Sequence, residues 1–203
     1  MPLVYQRVKN VRDFRLASKS AGTRKLADKP TRFHVENFPT GNYLAIPKTS
    51  SEKRFYIPIG FMNDSVVCAD SLRLVANAEL YHFGILTSSI HMAWLRTVGG
   101  RLKSYYRYSK DIVYNDFVWV EPTDKQNQAI EQSAQAILDV RAKFPDATFA
   151  ELYDEVTMPY ELRQAHRAND KAVAAAYGLE NILDDEPAIA VALLRLYSNN
   201  DHS

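Results

Sequence analysis

The residues best suited to chemistry lie together in "GGRLKSYYRYSKDIVYNDF", residues 99 to 117. Arg101, Lys103, Arg107 and Lys110 stand among Tyr105, Tyr106 and Tyr108, and the first acid is Asp111. Guanidinium and ammonium groups donate to phosphate oxygens and to the acceptor edges of bases, and tyrosine rings pack or hydrogen-bond beside them. If the stretch is extended, Arg101, Lys103, Tyr105 and Arg107 share one face. The glycine pair then presents them beyond the end of a rigid element. A hairpin whose tyrosines pack on a sheet edge while its cations face water has the same composition. Composition therefore leaves two readings, a solvated hairpin and an anion-contacting surface.

Other chemistry is sparse. The chain has no Gly-x-Gly-x-x-Gly, no Walker phosphate loop, no nucleophile elbow and no His-Glu-x-x-His. His34, His82, His91, His166 and His202 share no metal-ligand spacing with one another or with Cys68, so no metal site is expected. His82 and His91 fall on apolar helical faces and read as hydrogen-bonded core histidines, and Trp94 and Trp119 read as core. The run Asp184, Asp185, Glu186 opens a helix, where carboxylates favour the macrodipole. One enzymatic reading uses Tyr108 as a nucleophile with Arg96, Arg107 and His91 polarising a phosphate. Nothing in the sequence makes those groups converge, and no catalytic residue is assigned.

The elements that must position this stretch follow from periodicity. "YLAIP", "RFYIPIGFM" and "SVVCA" read as short strands separated by turn residues, with Pro47 and Pro58 marking edges or interruptions. "AELYHFGILTSSIHMAWLRTVGG" has apolar residues at helical spacing, with a break near "TSS" where Ser88 or Ser89 can cap the second half. "DIVYNDFVWV" reads as a further strand, and "NVRDFRLASKSAGTRKLADKP" as an exposed basic helix and loop. After Pro122 the pattern turns helical, through "TDKQNQAIEQSAQAILDVRAKFP", "DATFAELYDEV", "PYELRQAHRANDKAVAAAYG" and "EPAIAVALLRLYS". The expected fold class is α+β: a mixed sheet and helix module over 1–121, then a small all-helical domain over 122–203.

Charge divides at the same place. Residues 1–121 carry 18 Lys+Arg against 10 Asp+Glu, and residues 122–203 carry 7 against 14, so a net +1 hides a basic segment and an acidic one. A basic segment can neutralise phosphates and release their counterions. The apolar runs are too short for a membrane span, the amino terminus lacks a signal-peptide core, and one cysteine excludes an intrachain disulfide. These features predict a cytoplasmic protein that does not contact membrane.

"RLASK", "YLAIPKTSSEKRFYIPIGF", "YHFGILTSSIHMAWLRTVGGRLKSYYRYS" and "IVYNDFVW" resemble the target-recognition domain of type IIL (MmeI-like) restriction-modification enzymes and related large DNA methyltransferases. The helices through "AELYDEVTMPYELRQAHRANDKAVAAAYG" resemble that family's C-terminal domain. The resemblance covers nearly the whole chain. In the family one polypeptide usually joins a nuclease, an S-adenosylmethionine-dependent methyltransferase acting on the amino group of adenine, and this recognition region. The chain has neither a Phe-x-Gly-x-Gly cofactor loop nor an Asn-Pro-Pro-Tyr/Phe motif. The resemblance thus implies a non-catalytic, carboxyl-terminal piece of a longer bacterial enzyme. It would need no cofactor itself, S-adenosylmethionine serving the parent's methyltransferase domain. Its partners would be double-stranded DNA and that methyltransferase domain.

The same resemblance makes Lys103 and Tyr105 the pair that reads one base pair, commonly Glu with Arg or Lys with Asp in the family. Tyr105 departs from both pairings. Arg107 is similar to a second determinant acting with a residue that falls at Ser71 in "ADSLRL". Ser88, Ser89, Arg96, Arg101, Tyr108 and Lys110 would supply backbone or supporting contacts. The alternative is a protein-interaction or single-stranded nucleic-acid-binding module that uses the tyrosines as stacking platforms.

Overall fold

A computed structural model describes residues 2–36 and 38–200, the last without its side chain. Contacts group the chain into two units, one ending at Phe38 and one starting at Pro39. The first contains α1 (Pro2–Leu16) and α2 (Ala21–Lys25). Helix α1 buries none of its residues, as the mixed charged pattern requires. Arg15 fastens the following segment back onto it, donating to the carbonyls of Leu26 (3.0 Å), Lys29 (2.7 Å) and Arg32 (2.6 Å). The expected basic helix and loop are present.

The second unit holds two small antiparallel sheets. β1 (Tyr43–Pro47) is the centre of the first, flanked by β3 (Gly60–Met62) and β4 (Leu72–Ala76). β2 (Thr49–Ser50), β6 (Tyr105–Arg107) and β5 (Gly100–Leu102) form the second in that order. Lys48 joins the sheets, its N–H donating to the Ser71 carbonyl and its own carbonyl accepting from Tyr108 N–H, both at 2.9 Å. The "SVVCA" strand does not form. Asn63 accepts from the N–H of Ser65 at 3.0 Å, closing a side-chain turn, and Val66 and Val67 are left exposed. The strand forms one turn later, as β4.

Helices α3 (Leu80–Leu86) and α4 (Ser89–Val98) break where expected, because the Ser88 side chain caps α4 by accepting from His91 N–H at 3.2 Å. "DIVYNDFVWV" is not a strand. Lys110–Asn115 form a π-type helical turn, started by Ser109 accepting from Val113 N–H at 3.3 Å. It is held by the Trp94 indole N–H donating to the Val113 carbonyl at 3.2 Å. Tertiary contact to a tryptophan fixes this turn where β-branched residues favour extension.

Four further helices follow: α5 (Asp124–Ala142), a single-turn α6 (Phe149–Leu152), α7 (Tyr160–Tyr177) and α8 (Glu186–Asn200). Thr123 and Gln126 make a capping box for α5, and Gly178, at φ +66°, ends α7 in the left-handed conformation. One apolar core contains residues from both sides of Glu121, among them Leu44, Ile59, Phe83, Trp94, Ile130 and Leu193. Each such side chain contributes about 1.5–3 kcal/mol by leaving water. Helices α3 and α5 meet at Gly84, where a Cβ would lie 2.6 Å from a methyl of Ile130. Across the same packing, Asn169 donates to the Gly84 carbonyl and Tyr177 to the Val118 carbonyl, each at 2.8 Å. The architecture is α+β, as expected. No helix among the described residues is long and apolar enough to cross a membrane.

Candidate nucleic-acid interface

Helix α4 and the sheet fix the basic stretch as a tight hairpin. Leu102 pairs with Tyr105, Arg101 with Tyr106 and Gly100 with Arg107, so Lys103 and Ser104 alone make the turn. Lys103 occupies it at φ +57°, a left-handed conformation that non-glycine residues adopt uncommonly. The stretch is therefore the hairpin of the two readings, and the single face expected of an extended run does not form. Residues paired across two strands point the same way. Arg101 therefore shares the face of buried Tyr106, while Tyr105 and Arg107 lie on the opposite, exposed face and Lys103 sits at the tip.

Lys103, Tyr105, Arg107 and Lys110 are exposed, and their side chains make no hydrogen bond or ion pair among the described residues. Ser71 is also exposed. Lys48 donates its N–H to the Ser71 carbonyl and accepts from the N–H of Tyr108, the residue after Arg107, so a single backbone residue links Ser71 to the end of β6. Ser71 and Arg107, expected to act together, are both exposed.

The supporting residues divide. Arg101 remains half-exposed over the Tyr106 ring at 4.5 Å, with Glu52 at 3.5 Å from its guanidinium. Arg96 is partly buried and committed to partners within the protein. It pairs with Glu186, donates to the carbonyls of Arg54 and Phe55 at 3.3 Å, and lies 5.7 Å from the centre of the Tyr106 ring. Ser88 is fully buried, its hydroxyl donating to the Ile85 carbonyl at 2.7 Å. Ser89 offers its N–H to Asp170 Oδ1 at 2.7 Å. Tyr108 is buried with its hydroxyl 2.9 Å from His91 Nε2. As groups reaching a ligand directly, Ser88 and Tyr108 are corrected to internal supports, because helix capping and core packing use their polar atoms.

The meeting of Tyr108 and His91 fails as nucleophile chemistry for the same reason. Burial pushes the Tyr108 hydroxyl well above its usual range, with Tyr114 adding to the effect, and lowers His91 to about 3. Neither a tyrosinate nor an imidazolium is favoured there. His91 is the expected core histidine. His82 is only half-buried, its Nδ1 accepting from the Glu79 N–H that opens α3, at 3.1 Å.

Sequence reasoning missed a buried polar chain that runs between the helices and the loop before β3. Arg141, on α5, donates to the Ile59 carbonyl and to the Tyr153 hydroxyl, both at 2.7 Å, and Tyr153 meets His166 Nε2 at 2.8 Å. His166 stacks on Tyr56 at 4.1 Å between ring centres, and Tyr56 donates to Asp170 at 2.7 Å. Burial lowers His166, aided by the Arg141 charge, and raises Asp170 against the hydrogen bonds it accepts from Ser89 and Tyr56. The chain ties α5, α6 and α7 to the start of α4 and to the loop before β3. Only the unusual density of polar side chains on α7 hinted at it. Also unforeseen is the Lys48–Asp70 ion pair at 2.7 Å, adjacent to Ser71, whose lysine keeps the Asp70 carboxyl below its ordinary range.

Comparison with known proteins gives the class to which this fold belongs. Residues 1–121 match the model of the MmeI target recognition domain, and residues 121–201 match that of the MmeI C-terminal domain. The chain belongs to this family of paired target-recognition and C-terminal domains. It is 38% identical over 196 residues to DNA methyltransferase A of Bacillus subtilis (strain 168), covering 97% of the chain and 22% of that protein. Among solved structures it is similar to the type IIL restriction-modification enzyme MmeI in complex with DNA. The TM-score there is 0.95 at 44% identity, over 100% of this chain and 27% of the enzyme. The chain thus spans about a quarter of the length of these relatives.

Proposed function

We propose that this chain is the sequence-specific double-stranded DNA recognition region of a type IIL-like DNA methyltransferase or restriction-modification enzyme that methylates adenine. The observation that carries the reading is the division among the cations. Arg96 and Arg141 are committed to the fold, whereas Lys103 and Arg107 on the hairpin, and Lys110 at the start of the helical turn that follows it, stand exposed with no side-chain partner among the described residues. Lys110 and Arg101 neutralise phosphates and supply affinity, with a salt dependence near −0.9 per phosphate neutralised. Lys103, Tyr105, Arg107 and Ser71 read base edges, Lys103 and Arg107 donating to guanine acceptors. Ser88, Ser89, Arg96 and Tyr108 hold the scaffold.

Catalysis belongs to the rest of the parent polypeptide, whose methyltransferase domain is this region's partner and binds S-adenosylmethionine to supply the methyl group. No residue of this chain is assigned to that cofactor. Such an enzyme acts in the bacterial cytoplasm.

The competing single-strand reading needs several stacking faces. Of the three tyrosines only Tyr105 offers one, at 48% exposure, since Tyr106 and Tyr108 are buried. A competition between labelled duplex and single-stranded DNA, titrated with salt, tests the choice. The duplex is expected to win, and preference for the single strand at all salt concentrations overturns the reading.

A further inference from the structure

Arg107 has two cross-strand neighbours, Thr49 on β2 and Gly100 on β5, and both positions are exposed. Directly opposed residues hold their Cβ atoms roughly 5 Å apart on one face, so these two positions define the flanks of the Arg107 side chain. One flank carries a short hydroxyl-and-methyl side chain. The other carries none.

Nothing inside the protein requires glycine at 100. Its φ is not among the left-handed ones, which fall at Gly41 and Gly178, and a Cβ added there would meet no atom within 4 Å. The neighbouring Gly99 is the opposite case, because a Cβ there would strike the Leu95 carbonyl and side chain. A strand glycine costs backbone entropy and forgoes β-propensity, so one without an internal cause points to something approaching from outside. Gly100 is exposed on the face it shares with Arg107, and β5 is the edge strand of its sheet, so nothing described covers that approach.

We propose that Gly100 is a specificity-determining position: its missing side chain opens a slot beside Arg107 that admits the edge of a DNA base pair, while Thr49 limits the opposite flank. The inference rests on the reading of Arg107 as a base reader. A guanidinium bonding two acceptors of one base lies in the plane of that base, so the flanking space decides whether the base pair reaches it. A branched side chain at 100 projects into that plane without disturbing the fold. Gly100 then acts through Arg107, as a positioning residue defined by its emptiness.

The test uses the whole chain and a duplex library with a randomised centre. Wild type selects a preferred sequence; Gly100→Val is expected to bind that duplex about tenfold or more weakly, to keep its affinity for unrelated duplex, and to melt at an unchanged or higher temperature. In an Arg107→Ala background, Gly100→Val is expected to cost nothing further. Retention of the wild-type preference and affinity by Gly100→Val overturns the inference and leaves the DNA reading intact. Equal weakening on every duplex, or additive losses with Arg107→Ala, also overturns it, making Gly100 a clearance for the phosphate backbone. If wild type selects no sequence, both readings fall.

Discussion

Arg107 on the β5–β6 hairpin and Arg141 in helix α5 carry the same guanidinium in opposite surroundings. Arg141 is 7% exposed, donates to Ile59 and Tyr153, and lies about 5 Å from the rings of Phe83, Phe149 and Tyr153. Arg107 is exposed between Thr49 and Gly100, with no partner among the described residues. A buried cation survives only when its donors are satisfied, and its removal orphans the acceptors. An exposed, unsatisfied cation adds little to stability and remains available to a ligand. The contrast teaches that counts of basic residues do not locate a binding surface; the partners each one already has do.

The largest effect expected from that contrast is on stability. Arg141→Ala strands the Ile59 carbonyl, leaves the Tyr153 hydroxyl only His166, and opens a space between three rings, so urea unfolding should show a loss of about 3 kcal/mol or more. Arg107→Ala should leave stability within about 0.5 kcal/mol and instead remove about 1–3 kcal/mol of discrimination at one base pair in duplex titrations. A reversal of these two outcomes breaks the comparison.

Acid provides a sharper, smaller probe. His91 is held at about 3 and His166 well below its ordinary value, so between pH 6.5 and those folded values the unfolded chain binds more protons than the native one. Stability should therefore fall as pH drops below about 6.5. Asp170 acts with the opposite sign, because its raised folded pKa makes the native state the better proton binder above the ordinary aspartate range. His91→Gln should flatten the acid limb of a melting-temperature profile, and an unchanged slope would assign that limb to other groups.

The smallest effect concerns Glu52, 3.5 Å from Arg101 and about equally exposed. A phosphate must compete with it, so Glu52→Gln should strengthen binding to all duplexes alike by about two- to fivefold at low salt, fading as salt rises. A change in sequence preference instead would place Glu52 among the readers.

Much of the fold was legible because local chemistry decided it. Ser88 broke the α3–α4 helix pair, Thr123 opened α5, and Gly178 stopped α7, each with a side chain or conformation suited to that place alone. The misses share a cause in long-range contacts. The turn at Lys103–Ser104 contains neither Gly nor Asn, so the sequence left a hairpin and an extended run both open, and with them the face on which Arg101 lies. The helical turn at Lys110–Asn115 depends on Trp94, and the Arg141 chain joins residues from Tyr56 to Asp170, separations no periodicity reveals. Within the candidate site, residue types were legible from spacing and resemblance. Which were free was not, because commitment of Arg96, Ser88 and Tyr108 depends on partners distant in sequence or on burial.

The central claim is that the hairpin tip reads sequence while its neighbours supply affinity. Selection from a randomised duplex library by wild type, Lys103→Glu and Arg101→Ala tests it most directly. The account predicts that Lys103→Glu changes the preferred base pair at one position and that Arg101→Ala keeps the wild-type preference with uniformly weaker binding. If Lys103→Glu instead weakens binding to every duplex alike and leaves the selected sequence unchanged, Lys103 is a phosphate contact and the account is contradicted.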